Sequence, residues 1–175
     1  MPECYADTLL IETLVPSRDG YNHKSSCSKV EREMRLGKLK DRFAVGIIDK
    51  DKKQIKYLNE FIEIDKVNGS LILWRHRSKD KHHYFVQICP AFERWVLNIC
   101  EEEGIDLLIY KVGNNLEGLK KYTKDEDSIN NKKLMALFKA IELRDKNVSV
   151  RKLKSWISKL KEKNYQVDIK ELQHG

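Results

Sequence analysis

The sequence predicts an α/β fold: a mostly parallel sheet flanked by helices over residues 1–110, followed by a basic helical extension over residues 111–175. Helix-period and strand-period segments alternate through the first part of the chain. Residues 43–48 form an apolar run without alternation, as in a strand covered on both faces of a parallel sheet. The charge is also divided unevenly. Residues 1–110 hold 18 basic and 18 acidic residues, whereas residues 111–175 hold 16 and 9, which accounts for the whole formal charge of +7.

Leu9, Leu10, Thr13 and Leu14 give residues 7–14 one apolar face, and Pro16 ends that helix. Residues 17–23 read as a turn or a short strand. Ser25 or Ser26 caps a second helix whose Val30, Met34 and Leu36 are expected to point inward. After the strand at 43–48, residues 53–64 mix helical and extended signals. Residues 71–74 and 84–88 read as neighbouring strands joined by the charged turn 77–83. Pro90 opens the next helix in its first turn, Phe92, Trp95, Val96, Ile99 and Cys100 line one side of it, and Gly104 closes it. Residues 105–112 read as a short buried strand or a helix end, and residues 116–124 as a short helix. Two amphipathic helices joined at Asn147 complete the chain. Leu134, Leu137, Phe138 and Ile141 stripe the first, and Val150, Leu153, Trp156, Ile157 and Leu160 the second.

With 41% apolar and 35% charged residues in 175, the composition is that of a folded chain with a real core. No apolar run is long enough to span a bilayer, and the first residues lack a basic, signal-like segment, so a cytoplasmic protein without a membrane partner is expected. The cysteines at 4, 27, 89 and 100 match no zinc spacing, and Cys89 and Cys100 sit in apolar surroundings, which fits reduced core thiols. The basic last third points to a polyanionic partner, most simply nucleic acid, or else to a solvated lysine-rich surface.

The strand at 43–48 runs directly into Asp49-Lys50-Asp51. Ligands of open parallel sheets bind at the carboxyl ends of strands. At strand period Asp49 and Asp51 share one face, and two carboxylates so close repel unless a cation lies between them. Oxygen ligands of this kind suit Mg²⁺ or Mn²⁺. The alternative is a solvated turn. Upstream, the segment ECYADTLLIETL places Glu3 and Asp7 four residues apart, just ahead of a helix.

These two segments, in this order, resemble the TOPRIM domain of topoisomerases, primases and OLD-family nucleases. That family pairs a glutamate after its first strand, in a pattern like E-G-x-x-D before a helix, with a D-x-D after a later strand. The resemblance covers roughly residues 1–110, a plausible domain length. It implies metal binding by Glu3, Asp49 and Asp51, with Glu3 as metal ligand or general base and Asp7 in support. PAFERWVL resembles the P-x-x-E segment of OLD-like nucleases, which implies that Glu93 contributes to a second metal position; otherwise Glu93 serves the helix N-terminus. Two features depart from the pattern: only Met1 and Pro2 precede Glu3, and Cys4 stands where the family has glycine.

Among the remaining polar residues, His23 precedes the second helix and could hold a phosphate, and Lys52, Lys53 and Lys124 could neutralise a phosphodiester. His76, His82 and His83 read as a solvent-facing turn. Trp74, Trp95 and Trp156 read as core. No Walker A or other nucleotide motif occurs, so any ATPase would be a separate partner protein. The expected activity is Mg²⁺- or Mn²⁺-dependent hydrolysis of DNA or RNA, in a toxin or phage-defence module, with basic residues of the last third tracking the phosphate backbone. The alternative is a non-catalytic TOPRIM-fold nucleic-acid-binding or regulatory module. Primase-like nucleotidyl transfer is a third reading, and an exposed sheet edge would allow a homodimer.

Overall fold

The structure is a computed structural model that describes residues 1–50 and 55–174. Helices α1 (Tyr5–Leu14) and α2 (Cys27–Leu36) lead into strand β1 (Ala44–Asp49). A 3₁₀ turn over Lys56–Glu60 precedes β2 (Phe61–Val67), β3 (Leu71–His76) and β4 (His83–Ile88). Then come α3 (Phe92–Glu102), α4 (Leu116–Thr123), α5 (Lys132–Glu142), α6 (Val148–Lys163) and α7 (Ile169–Gln173).

The four strands form one mixed sheet in the order β1-β4-β3-β2. Only β1 and β4 pair in parallel, from Ala44 opposite His83 to Asp49 opposite Ile88, while β4, β3 and β2 form an antiparallel meander. The expected mostly parallel sheet is thus corrected to a mixed one. Short links after β2 and β3 permit only antiparallel return, because a parallel partner needs a long crossover. Pro2 adds a parallel bridge to Ile47 on the other side of β1, with Ile47 N–H donating to Met1 O at 3.0 Å. The run at 43–48 therefore reads as fully covered because β1 has neighbours on both sides and helices on both faces.

Strand alternation divides the core. Ile47 and Val86 face one cluster with Leu10, Trp95, Phe138 and Trp156, whereas Ile48 and Phe85 face another with Val30, Met34, Tyr57 and Phe61. Helices α5 and α6 thereby share a buried cluster with α1 and the sheet. Gly46 lies where the sheet is tightest: a Cβ there would stand 2.4 Å from Phe85 Cε1 and 2.9 Å from Val30 Cγ1.

Local expectations are refined or overturned, and Leu36 of α2 is exposed rather than turned inward. Over the described residues 55–64, the mixed helical and extended reading holds as the 3₁₀ turn and the start of edge strand β2. That edge is partly covered: Gln173 Nε2 donates to Ile64 O at 2.7 Å and Lys152 Nζ lies 2.8 Å from Asp65 Oδ2. Residues 105–112 are turns and irregular chain rather than a buried strand or a helix end, with Leu108 and Ile109 exposed while Ile105, Leu107 and Val112 stay buried. Pro90 lies outside α3, whose N-cap is Ala91.

Candidate functional site at the carboxyl end of β1

Glu3 follows the Pro2–Ile47 bridge and so reaches the sheet edge where β1 ends. Asp49 N–H donates to Glu3 Oε2 at 3.3 Å. Helix α1 starts at the next turn of chain. Its N-cap is Cys4, whose Sγ accepts from Asp7 N–H at 3.3 Å. Cys4 has an extended backbone (φ −141°), so nothing at this position demands glycine.

Asp7 stands in the first turn of α1 and is 2% exposed. Its Oδ1 is buried without a hydrogen-bond partner. Burial, and then the charges of Asp49, Glu3 and Glu93, push its carboxyl well above the ordinary carboxylate range, against the Cys4 contact that lowers it.

Asp49 closes β1, and its Oδ1 accepts from Phe92 N–H at 2.9 Å. Ala91 has no side-chain acceptor for the α3 N-terminus, so the Asp49 carboxylate serves as its cap from another element. Burial, then Glu3 and Glu93, raise the Asp49 pKa to about 7, opposed by the Phe92 N–H and by Lys124. Glu93, in the first turn of α3, is 4% exposed. Its Oε1 accepts from Thr123 Oγ1 at 2.8 Å and pairs with Lys124 Nζ at 3.2 Å. Burial pulls the Lys124 ammonium down, but Glu93 together with Cys4 and Asp49 outweighs it and leaves Lys124 above its ordinary value.

A cleft of about 370 Å³ opens beside these carboxylates between the segment leading into α2 and the end of α4. Glu3, His23, Ser25, Ser26 and Lys124 line it. Ser26 caps α2 by accepting from Lys29 N–H at 3.3 Å. The His23 ring stacks on Tyr5, centroids 3.9 Å apart, and its Nδ1 is buried without a partner. Burial lowers the His23 pKa, against a backbone hydrogen bond with Cys4 that raises it, and Lys24 and Lys29 act in the same direction as burial.

Of the residues expected from sequence, Glu3, Asp7, Asp49, Glu93, Lys124 and His23 therefore come together. Asp51, Lys52 and Lys53 lie outside the described residues. Thr123 escaped sequence reading, because a threonine at the end of a short helix carries no signal until the fold brings it to Glu93. Cys4 as a cap is legible only as the residue two before Ala6 in a helix start. Among the described residues no group of three or more His, Cys, Asp or Glu side chains is arranged to hold a metal ion, and Asp49 and Glu93 each have an oxygen engaged by a protein donor.

Two of the three histidines expected to face solvent are corrected. His76 and His83 are buried rather than solvent-facing. His83 Nε2 lies 2.9 Å from Leu39 O, which can only accept, so Nε2 carries the proton and Nδ1 accepts from Tyr57 OH at 2.7 Å. These imidazoles complete the smaller core. The basic last third also differs from a free phosphate-tracking face. Lys152, Lys154, Lys159, Lys161 and Lys163 of α6 all reach acceptors within the protein. Among the described residues, no helix is long and apolar enough to cross a membrane. Comparison with protein-family models, curated proteins and solved structures found no match to this chain.

Proposed function

We propose that the protein is a metal-dependent nuclease of TOPRIM type, hydrolysing phosphodiesters of DNA or RNA at the carboxyl end of β1. The observation that carries this reading is the convergence of Glu3, Asp7, Asp49 and Glu93 on one sheet edge, with Asp7 Oδ1 buried and unpartnered among them. Carboxylates so placed repel one another, and a cation is the natural counter-charge. An orphaned buried carboxylate oxygen fits such a cation, although no described group of three side chains is arranged to grip one. Asp49, with Glu3 beside it, would hold Mg²⁺ or Mn²⁺, and Asp51 follows Asp49 by two residues.

A bound divalent ion would supply Lewis-acid stabilisation of phosphate oxygens and a more acidic water. The chain's own residues do the rest. Glu3 accepts a proton from water at the sheet edge. Glu93, held by Thr123, positions Lys124, whose ammonium faces the cleft and offsets charge gathering on the phosphodiester. The setting in a toxin or phage-defence module and the separate ATPase partner rest on the resemblance alone.

A second reading keeps the fold without turnover. It is favoured by the Asp49 cap on α3 and by the Glu93–Thr123–Lys124 bonds, which balance part of the cluster with protein groups. Calorimetric titration of Mg²⁺ and Mn²⁺ into wild type and into the combined Asp49→Ala, Asp51→Ala variant separates the two. Saturable binding lost in the variant, with cleavage of DNA or RNA by wild type only, is the expected result. Nucleic-acid binding that survives chelation, from a folded protein that takes up no cation, would leave the binding module.

A further inference from the structure

The cleft beside the carboxylates has features that hydrolysis alone does not require. Its volume of about 370 Å³ admits one nucleotide unit rather than a duplex. Its two walls come from different elements: His23, Ser25 and Ser26 from the approach to α2, and Thr123, Lys124 and Asp125 from the end of α4. Ser25 Oγ receives Lys29 Nζ at 2.5 Å, so a second cation stands at the rim. The stacked Tyr5–His23 pair lines the same space and offers an aromatic surface. The chain then continues into a second depression of about 520 Å³, lined by Lys24 just ahead of α2 and by Lys29, Arg32 and Glu33 of α2, with Lys24 Nζ 3.2 Å from Glu33 Oε2.

We propose that this cleft seats one unstacked nucleotide of a single strand, with its phosphate between Lys124 and the His23–Ser25 wall, its base against the Tyr5–His23 pair, and the neighbouring backbone running along Lys24, Lys29 and Arg32. The proposal rests on the nuclease reading for its purpose and gives that reading a substrate class: single-stranded nucleic acid, or a strand end. A duplex keeps its bases stacked inside and cannot present one to a recess of this size without flipping it. Aromatic stacking and cations along a backbone are the general means of holding single strands.

The test measures binding without cleavage. Fluorescein-labelled 12-nucleotide single strands of DNA and RNA, and the matching duplexes, are titrated with the full chain in EDTA and followed by anisotropy. At least one single strand should bind about tenfold or more tighter than its duplex. His23→Ala should weaken single-strand binding at least about fivefold, by loss of one stacked base. Ser25→Glu, at an exposed position away from the core, should weaken it similarly by placing an anion in the phosphate seat, with an unchanged circular-dichroism spectrum. Equal affinity for duplex and single strand, binding indifferent to both substitutions, or no binding to any probe would overturn the proposal. Because cation and cleavage are excluded from the assay, failure of the nuclease reading shows separately, as selective single-strand binding by a protein that never cleaves when Mg²⁺ is restored.

Discussion

Asp49 has two duties that pull its ionisation in opposite directions. As a cap it accepts from Phe92 N–H, and as a member of a carboxylate cluster it is repelled by Glu3 and Glu93. Its carboxyl titrates near 7 in the folded protein, against an ordinary value of 3.8. A raised acid stabilises the fold below its unfolded value and loses that contribution as pH rises through the folded value. Without a cation, stability should therefore fall between pH 3.8 and about 7. Asp49→Asn keeps an acceptor for Phe92 N–H and removes the charge. It should be close to neutral at pH 4 and stabilising at pH 8 by on the order of 1–3 kcal/mol, since a tenfold change in proton affinity is worth about 1.4 kcal/mol. Urea midpoints at the two pH values measure this. A destabilised Asp49→Asn at pH 8 would mean that the charge is compensated within the protein. Added Mg²⁺ should raise the wild-type midpoint at pH 8 and leave Asp49→Asn nearly unmoved.

At the scale of elements, β1 is the piece on which the site depends. It brings Asp49 to the sheet edge and, through the Pro2–Ile47 bridge, Glu3 beside it. Gly46 lets Phe85 of β4 and Val30 of α2 close over the strand, so a methyl group there meets a ring carbon at 2.4 Å. Gly46→Ala should destabilise by about 1–3 kcal/mol through overpacking. Adding Phe85→Leu should return part of that loss, since residues in contact are not additive. Chemical unfolding of the single and double variants gives the coupling, and simple additivity would show that strand and neighbours shift without strain. The α3–α4 connection works in the same local way: Thr123 and Lys124 tie the end of α4 to Glu93, so the cation of the site comes from a different helix than its carboxylate.

At the scale of the molecule, the helices after residue 111 are built into the core. Phe138 and Trp156 are fully buried among residues of α1, β3, β4 and α3, and Trp156 Nε1 donates to Leu172 O at 3.0 Å. Trp156→Ala should lower stability by about 3–5 kcal/mol and leave a single unfolding transition. Near-ultraviolet and far-ultraviolet circular dichroism should lose signal together on heating. Two separated transitions would instead mark residues 111–175 as an independent unit.

The α/β class, the helices at α1 to α6 and the apolar faces of α5 and α6 were legible because they are written in local periodicity: residues three or four apart share a helix face regardless of what lies opposite. Asp49 was legible because it stands directly after an apolar strand, whereas Glu3, Asp7 and Glu93 were singled out by the resemblance of their segments to a known family. The parallel or antiparallel sense of the sheet was not, since pairing depends on which strands the connections can reach. Nor were the burial of His76 and His83, the exposure of Leu108 and Ile109, or the internal bonds of the α6 lysines, because a polar side chain has the same local sequence whether it meets water or an acceptor from a distant element. Local periodicity was enough to place the helices and the strands at 43–48, 71–74 and 84–88, and to show Asp49 at the end of the first, but not to assign residues 105–112. The packed fold was needed to show that Asp49 caps α3, that Thr123 and Lys124 close on Glu93, and that Asp7 is buried with an unpartnered oxygen. Those facts depend on distances between residues 30 or more apart in the chain, which local propensity does not encode.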